Sequence, residues 1–534
     1  MTTQAAAIPE ATAAPFDRRL AILLAMAMFV LVVDTSLMNV SISAVVRDIG
    51  ATASGVQAAI ALEALVSAAF ILISSKLGDL IGRKRAYTLG LLGYAIGALA
   101  MVLTQTLLPM IVFWAICGGL GASLLLPAMQ SLIHGNFEGA DQKRVYALTG
   151  AAAAIAAAIG PLIGGFVTTF LSWRVGFLLE LVIIVVVLSG LGRVKDVPYT
   201  GDRRIDLVGA VLSVLGMGGV VLGILAWQEG AEAVGALIAV GVVGLGSLAW
   251  WLRRRKRLGQ VSLIDPDLFN SAHFRLGISG QTLQQVSLGG LMIVLPLFLQ
   301  MVLEYNALES GLSIAPLSLT MFAVAILAGR KLADRRSASL IRLGFLLLTI
   351  GVVIMLPIVP RSTSGLWFTI PLMIAGTGLG LLVSQLNNYT LAPISGERIS
   401  EAAGVNSAGG SFGLSFGLAM AGGVMLASLS LVFINMTEAS TVIPPDQKEA
   451  VYTVLEEDAQ LLSNTQLEAL LVDEPPAVAD EVVRINTEAR PIALQIALLV
   501  PLIAGLIGLI AAQRMARLPD IKPSVDLEEF ALGG

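Results

Sequence analysis

Residues 29–43 read FVLVVDTSLMNVSIS, an apolar helical stretch with one carboxylate, Asp34, set well inside it. A charged side chain in the middle of a membrane helix costs about 3 kcal/mol on insertion scales. The apolar run from Leu20 to Val33 offers this carboxylate no basic neighbour. We therefore predict that Asp34 faces a wet cavity and has a functional role.

The composition around this stretch is that of a helical membrane protein. Of the 534 residues, 56% are hydrophobic and 13% are charged, and the mean hydropathy is +0.86, which lies outside the range of soluble domains. The net charge of −4 argues against a nucleic-acid partner, because no basic domain is available to hold a phosphate backbone. The one cysteine, Cys117, excludes a disulfide framework and a thiolate metal site.

Apolar runs long enough to span a bilayer, about 20 residues each, recur fourteen times and predict an all-α polytopic membrane protein. They lie at 20–45, 54–74, 86–105, 109–134, 145–170, 175–193, 205–227, 233–252, 275–301, 308–329, 338–358, 366–391, 403–434 and 491–512.

The distribution of Lys and Arg predicts the orientation of these helices. With both termini in the cytoplasm, 27 of the 33 basic residues fall on the cytoplasmic side, as the positive-inside rule requires. The six exceptions are Arg47, Arg174, Arg361, Lys448, Arg484 and Arg490. We predict a multi-pass protein of the cytoplasmic membrane of a bacterium.

Two similar turns indicate a duplication. SSKLGDLIGRKR at 74–85 and AGRKLADRRSAS at 328–339 share the order small residue, Lys/Arg, Leu, small residue, Asp, and several transporter folds are built from duplicated halves. The predicted organisation is a cytoplasmic tail (1–19), a six-helix bundle (20–195), two inserted helices (196–257), a cytoplasmic linker (258–274), a second six-helix bundle (275–512) and a cytoplasmic tail (513–534).

The second bundle contains one large external segment, residues 435–490, with twelve acidic residues. Apolar positions between 447 and 471 predict an amphipathic helix over the outer mouth. A solvated acidic cap without a role in transport, a cation-attracting vestibule and a docking site for an envelope partner are the three interpretations.

Three motifs carry a family resemblance: DTSLMNV at 34–40 in helix 1, KLGDLIGRKR at 76–85 after helix 2 and GPLIGG at 160–165 in helix 5. Together they resemble the major facilitator superfamily, and specifically its fourteen-helix drug:proton antiporter family. Ser172-Trp173-Arg174, Asp206 and Leu295-Pro296-Leu297 with Gln300 are similar to that family as well. The resemblance implies a monomeric alternating-access carrier in the lipid bilayer that exchanges protons for small molecules. It does not imply an enzyme.

The resemblance also implies roles for two sets of residues. The turn between helices 2 and 3 and its counterpart latch the two halves in one state, which assigns a gating role to Gly78, Asp79, Gly82, Arg83, Lys84 and Asp334. The helix 5 motif gives a smooth packing face between the halves, formed by Gly160, Pro161, Gly164 and Gly165.

Four departures from the family pattern are informative. Ala115 stands where helix 4 usually has an arginine implicated in proton coupling, and Gly410-Ser411 replaces an Arg-Gln pair in helix 13. Conversely, Glu63 replaces a tyrosine in helix 2, and Glu180 replaces an asparagine in helix 6.

The extra acids extend the candidate site. Asp34 and Glu63 lie at depths that differ by about one helical turn, so they can share a cavity, where mutual repulsion favours a proton on one of them that a cationic substrate displaces. Glu180 is the third candidate for coupling. The alternative is a structural carboxyl near the membrane face, within reach of Arg174. The predicted cavity wall consists of Met38, Ser41, Ser67, Phe70, Gln281, Gln284, Gln285, Gln385, Asn387 and Asn388.

The leading hypothesis is proton-coupled export of lipophilic, cationic small molecules. A lipid or lysolipid carrier of the same fold is the alternative, and a non-transporting membrane sensor or scaffold is the third. The glycines at 376–380 lie inside a predicted helix and do not follow a strand, so they form no nucleotide fingerprint. No catalytic residue, metal or cofactor is predicted.

Overall fold

The computed structural model describes residues 16–137, 139–196, 206–228, 230–332, 335–394, 398–445, 447–448, 451, 467–468, 471–472 and 475–519. Fourteen helices in these ranges are long and apolar enough to cross a membrane, which confirms the predicted count and the multi-pass topology. Within the described residues the regular structure is helical throughout.

The first half contains six of these helices. They are α1 (Arg18–Ile49), α2 (Ala53–Ile81), α3 (Arg83–Leu103), α4 (the consecutive helical segments Leu107–Pro109, Met110–Gly118 and Gly119–Asn136), α5 (Gly139–Phe170) and α6 (Trp173–Ser189). A 3₁₀ turn at Leu191–Arg193 follows.

An inserted pair and the second half follow. The pair is α7 (Leu207–Gln228) and α8 (Val234–Arg257), and the second half is α9 (Ala272–Met301), α10 (Ala307–Lys331), α11 (Ser337–Ile358), α12 (Thr369–Leu391), α13 (Ile399–Ala439) and α14 (Pro476–Ala497 with Leu499–Arg517). Short 3₁₀ turns lie at Pro266–Asn270, Val359–Arg361 and Gly365–Phe368.

Side-chain caps and left-handed glycines set several helix ends. Asp17 accepts hydrogen bonds from the first backbone N–H groups of α1, and Gly50, at φ 63°, ends that helix. Asn306 and Glu309 form a reciprocal capping box at the start of α10. These contacts satisfy backbone groups that a helix end leaves unpaired.

The last helix begins earlier than the sequence predicted. Its start at Pro476 lies inside the predicted external segment, because the first turns of α14 form an amphipathic helix that a hydropathy window misses. Val478, Val482, Ile485 and Ala489 are buried on one face of these turns. The predicted helix at 447–471 lies mostly outside the described residues.

We call the end of the bundle at which α1 begins the basic end, and the opposite side the far end. The two halves contact each other at both ends. At the basic end, Ile71 and Leu72 of α2 share an apolar cluster with Ala402 of α13. At the far end, Gln300 of α9 donates to the carbonyl oxygen of Val40 in α1 (2.9 Å). The hydroxyl of Ser415 in α13 donates to the carbonyl oxygen of Ala61 in α2 (2.6 Å). A single apolar cluster contains residues of both halves, among them Ile60 and Phe298.

The loop between α8 and α9 joins the inserted pair to the second half at the basic end. Asp265 lies at its centre, with the Lys256 ammonium at 3.0 Å and the Arg398 guanidinium also at 3.0 Å. Its backbone N–H donates to Glu401 (2.6 Å). Asp206, buried at the start of α7, accepts from the indole N–H of Trp251 (2.9 Å) and fixes the other side of this junction.

Candidate functional site

Asp34 is buried inside the first half with two side-chain donors aimed at it. Its carboxyl is only 1% exposed. The hydroxyl of Tyr94 in α3 donates to Oδ2 (2.6 Å), and the indole N–H of Trp114 in α4 lies 3.1 and 3.2 Å from the two oxygens. The predicted wet cavity at this position is therefore replaced by a three-helix hydrogen-bond cluster.

Trp114 reaches the carboxyl from an unusual piece of helix. Met110–Gly118 of α4 is a π-helix, and π segments inside α-helices occur frequently at functional sites because they re-aim side chains. The Trp114 ring packs edge-on against Phe177 of α6 (centroids 6.2 Å apart), which packs in turn against Trp173 (6.0 Å). This aromatic stack holds the indole N–H on the carboxyl.

Two further acids complete the cluster. Glu63 of α2 is buried and Glu180 of α6 is 2% exposed, and both are close enough to Asp34 for the charges to interact. Neither carboxyl oxygen of Glu180 has a hydrogen-bond partner in the described part of the chain. We call Asp34, Glu63 and Glu180 the acidic triad.

The structure does not support the alternative in which Glu180 lies near the membrane face beside Arg174. Arg174 donates instead to Asp48 and to the carbonyl oxygen of Thr104 (2.6 Å), and its guanidinium stacks on Trp173 at 4.4 Å. This guanidinium fork satisfies one carboxylate and one carbonyl, and it leaves Glu180 in the interior. Across the described ranges, no basic side chain forms an ion pair with the triad.

Two predicted cavity residues of the first half are packing residues. Met38 is fully buried in the apolar core. The Ser41 hydroxyl contacts the carbonyl oxygen of Leu37 and the hydroxyl of Thr168 in α5, each at 2.8 Å. The prediction that Met38 and Ser41 line a cavity is therefore wrong, because both are enclosed where α1 packs on its neighbours.

Ser67 and Phe70 lie further along α2 from Glu63. The Ser67 side chain is buried, and Phe70 is partly exposed. One turn beyond them, the hydroxyls of Ser74 and Ser123 hydrogen-bond at 2.8 Å and tie α2 to α4. Among the four described residues that were predicted to line the cavity in the first half, Phe70 is the one with accessible surface.

The glutamines of α9 form the polar side of the second half. Gln281 and Gln285 lie against Gly410 of α13, and both are partly exposed. Gln284 is buried with both amide atoms unpartnered among the described residues. Unmade hydrogen bonds of this kind are costly in a closed interior, so this face is suited to a polar ligand group.

Two amide side chains of α12 that were predicted to line the cavity hydrogen-bond to neighbouring helices. Gln385 accepts from the hydroxyl of Ser337 (2.9 Å), which ties α12 to α11. Asn387 accepts from the amide of Asn406 (2.6 Å), which ties α12 to α13. Asn388 is partly exposed. Gln385 is buried and ties two helices together, so it does not line a cavity in this structure. Asn387 is exposed, and its place in the cavity wall stays a prediction.

The turn between α2 and α3 is held by an acid that the sequence did not single out. Asp196, after α6, accepts from the backbone N–H of Lys84 (3.0 Å), and the Lys84 ammonium donates to the carbonyl oxygen of Val194 (2.8 Å). Gly82 has φ 99°, a conformation that favours glycine. Gly78 is buried and lies beside Arg83. The Asp79 side chain and all of Asp334 lie outside the described residues.

The helix 5 motif has two packing faces. β-Carbons on Gly160 and Gly164 would meet Ser36 and Leu37 of α1, inside the first half. One on Gly165 would lie 2.6 Å from the carbonyl oxygen of Ala307 in α10, in the second half. Pro161 lies against Gly311, which is also in α10. The motif therefore lets α5 approach two helices at backbone distance.

Known proteins resemble this chain in sequence and in fold. The family model of the Major Facilitator Superfamily matches residues 24–418. The chain belongs to the Major Facilitator Superfamily. Its matches among curated proteins include the "Probable actinorhodin transporter" of Streptomyces coelicolor, 27% identical over 78% of this chain and 74% of the relative. The "Multidrug resistance protein Stp" of Mycobacterium tuberculosis is 26% identical over 76% and 75%.

A third relative covers nearly the whole length of both chains. The "Puromycin resistance protein pur8" of Streptomyces alboniger is 28% identical over 91% of this chain and 98% of the relative. Among solved structures, a bacterial homologue of the lysosomal transporter Spinster superposes with a TM-score of 0.64 at 12% identity, covering 94% and 98% of the two chains. This superposition confirms the fold of the superfamily: two six-helix bundles, here with α7 and α8 inserted.

Proposed function

We propose that this superfamily member exports lipophilic, cationic small molecules in exchange for protons, and that the acidic triad couples the two movements. The observation that carries the proposal is the burial of Asp34, Glu63 and Glu180 together without a basic partner in the described residues. Like charges enclosed in a low-dielectric interior repel one another. Such a group is most stable when it holds protons or a cation, and the two occupants then exclude each other.

Neutral donors support this assignment. Tyr94 and Trp114 orient Asp34 without supplying the fixed positive charge that the usual arginine in helix 4 provides, where this chain has Ala115. The acid is thereby positioned and still able to exchange its proton. A proton driven inward gains about 2.3 kcal/mol per 100 mV, and each 1.4 kcal/mol of mutual exclusion makes proton and cargo about tenfold less compatible.

The polar residues of the two halves and the names of the relatives support the proposed substrate class. The triad lies in the first half, and the glutamines of α9 present neutral amides in the second. A cation with apolar bulk is suited to a carrier with buried acids in one half and neutral amides in the other. Relatives named for multidrug and puromycin resistance support a drug-like cargo.

The proposed setting is the cytoplasmic membrane of a bacterium, with both termini inside. The Lys and Arg distribution supports it, since basic loops stay in the cytoplasm. In this orientation the contacts of Gln300 and Ser415 between the halves lie towards the outer side, and the turn from Gly78 to Lys84, with its counterpart near Asp334, gates the inner side.

The test measures proton movement directly. In inverted membrane vesicles with an imposed pH gradient, addition of a lipophilic cation such as ethidium should release protons through the wild type. Asp34→Asn and Glu63→Gln should abolish the release, and Glu180→Gln should reduce it. Glu232→Gln, which changes an exposed carboxyl between α7 and α8, is the matched control and should behave as wild type.

Two outcomes would contradict the proposal, and a third would decide the role of the external segment. Proton release by Asp34→Asn at the wild-type rate would remove the triad from coupling. Normal dye retention with altered membrane lipid content in cells expressing the variants would favour the lipid carrier. Full activity after deletion of residues 440–470 would exclude a docking role for that part of the external segment.

A further inference from the structure

An arginine-lined groove lies at the basic end of the second half, away from the acidic triad. It has a volume of about 690 Å³. Three arginines and four leucines line most of it. Its lining residues are Leu332, Arg335, Arg336, Ser339, Leu340, Arg342, Leu343 and Leu346. We call this the arginine groove.

The charges of the groove are concentrated at one end of it. Arg335 and Arg342 are exposed, and Arg336 donates to the carbonyl oxygen of Leu518, just after α14. Arg514 and Arg517 lie in the last turn of α14, just before Leu518. No acidic residue is among the lining residues in the described part of the chain.

The rest of the groove is apolar and continues along the surface of α11. Leu343 is 43% exposed and Leu346 is 41% exposed, and Ile350 and Val353 extend the same exposed stripe. From residue 343 to 353 the stripe is about 15 Å long. These side chains face outward from a membrane-spanning helix, where the surrounding solvent is lipid acyl chain.

We propose that the arginine groove binds an anionic phospholipid of the leaflet at the basic end, its phosphate on the arginines and an acyl chain along the leucine stripe. Guanidinium groups bind phosphate oxygens through paired N–H donors. A basic pocket at the end of membrane helices is a suitable site for an anionic headgroup. A soluble phosphate would use the arginines and leave the leucine stripe without a role, so the continuity of the two surfaces favours a lipid.

The proposal is independent of the transported cargo and of the triad. Its test uses the purified full-length protein in detergent, offered equal amounts of phosphatidylglycerol and phosphatidylcholine with identical chains, with retained lipid counted by native mass spectrometry. The wild type should retain phosphatidylglycerol about tenfold or more in preference to phosphatidylcholine. Arg335→Gln with Arg342→Gln should remove most of that preference, and Arg335→Lys with Arg342→Lys should retain part of it.

Arg336 is left unchanged in these variants because it also contacts Leu518. The matched control removes the same charge at the same end of the bundle, with Arg253→Gln and Arg257→Gln in the exposed end of α8, and should keep the wild-type preference. An equal loss in that control would show general attraction to basic surface and overturn the proposal. Unchanged retention in the groove variant, or displacement of the lipid by glycerol 3-phosphate, would overturn it as well.

Discussion

Alanine at Gly165 should push the two halves of the carrier apart at the far end. A β-carbon there would lie 2.6 Å from the carbonyl oxygen of Ala307 and 2.8 Å from Cα of Leu308. An ordinary carbon–oxygen contact is about 3.5 Å, so α5 and α10 must separate by about 1 Å. Both obstacles are backbone atoms, and no side-chain rotation can relieve them.

The energetic consequence follows from this overlap. Overpacking of a close interface costs about 1–3 kcal/mol, and only the state in which α5 touches α10 bears the cost. The population of that state should therefore fall by about 5- to 150-fold relative to states in which the far end is open. Gly246→Ala is the matched control, because a β-carbon at Gly246 in α8 meets nothing within 4 Å.

Distances between spin labels report the change. Leu171 (65% exposed) and Leu366 (80% exposed) lie at the far end in opposite halves and can carry labels as cysteines once Cys117 is replaced by alanine. Double electron–electron resonance should show a longer mean distance in Gly165→Ala than in wild type, with Gly246→Ala unchanged. Wild-type distances and transport in a folded Gly165→Ala would refute the proposed closed contact.

Three further predictions concern single polar contacts. Tyr94→Phe removes one hydrogen-bond donor to Asp34. Because hydrogen bonds to charged groups contribute about 1.5–3 kcal/mol, proton-coupled efflux in vesicles should fall about tenfold or more, but less than in Asp34→Asn. Asp206→Ala leaves the indole N–H of Trp251 and two backbone N–H groups without their acceptor and should lower stability by about 3 kcal/mol, seen as a lower melting temperature. Partial burial raises the pKa of Asp265, but the backbone N–H of residue 267 and the two neighbouring cations outweigh it and leave that pKa below its ordinary value. The stabilisation by Asp265 is therefore complete above the ordinary pKa of an aspartate and is lost as the pH falls through the lowered pKa. Asp265→Asn should lower the free energy of unfolding by about 1 kcal/mol at neutral pH and leave it unchanged in acid. Thermal melting at several pH values measures this.

Much of the fold was predictable because it depends on sums over many residues. The length of each apolar run reports the bilayer thickness, so fourteen spans followed from composition alone. The inward orientation of Asp34 also followed, since a lone acid in an apolar helix must face away from lipid. Its enclosure by Tyr94 and Trp114 did not follow, because the sequence predicted a wet cavity there.

The partners of charged groups were not predictable in the same way. Arg174 binds Asp48 and not Glu180, because the choice depends on how α1 and α6 pack. Trp114 stands next to the departure at Ala115 that the motif comparison singled out, yet only the structure shows that its indole N–H, in the π segment of α4, donates to Asp34. A π segment has no reliable sequence signal.

The departures from the family pattern are connected by charge. This chain lacks the usual helix 4 arginine and carries two additional acids, Glu63 and Glu180, so the first half gains negative charge in its interior. An arginine beside Asp34 would neutralise that acid permanently. Tyr94 and Trp114 bind it through neutral donors, and in the proposed mechanism its compensating charge comes from a proton or from the cargo. Under this proposal, the same substitutions that remove a family signature make the triad dependent on exchangeable cations.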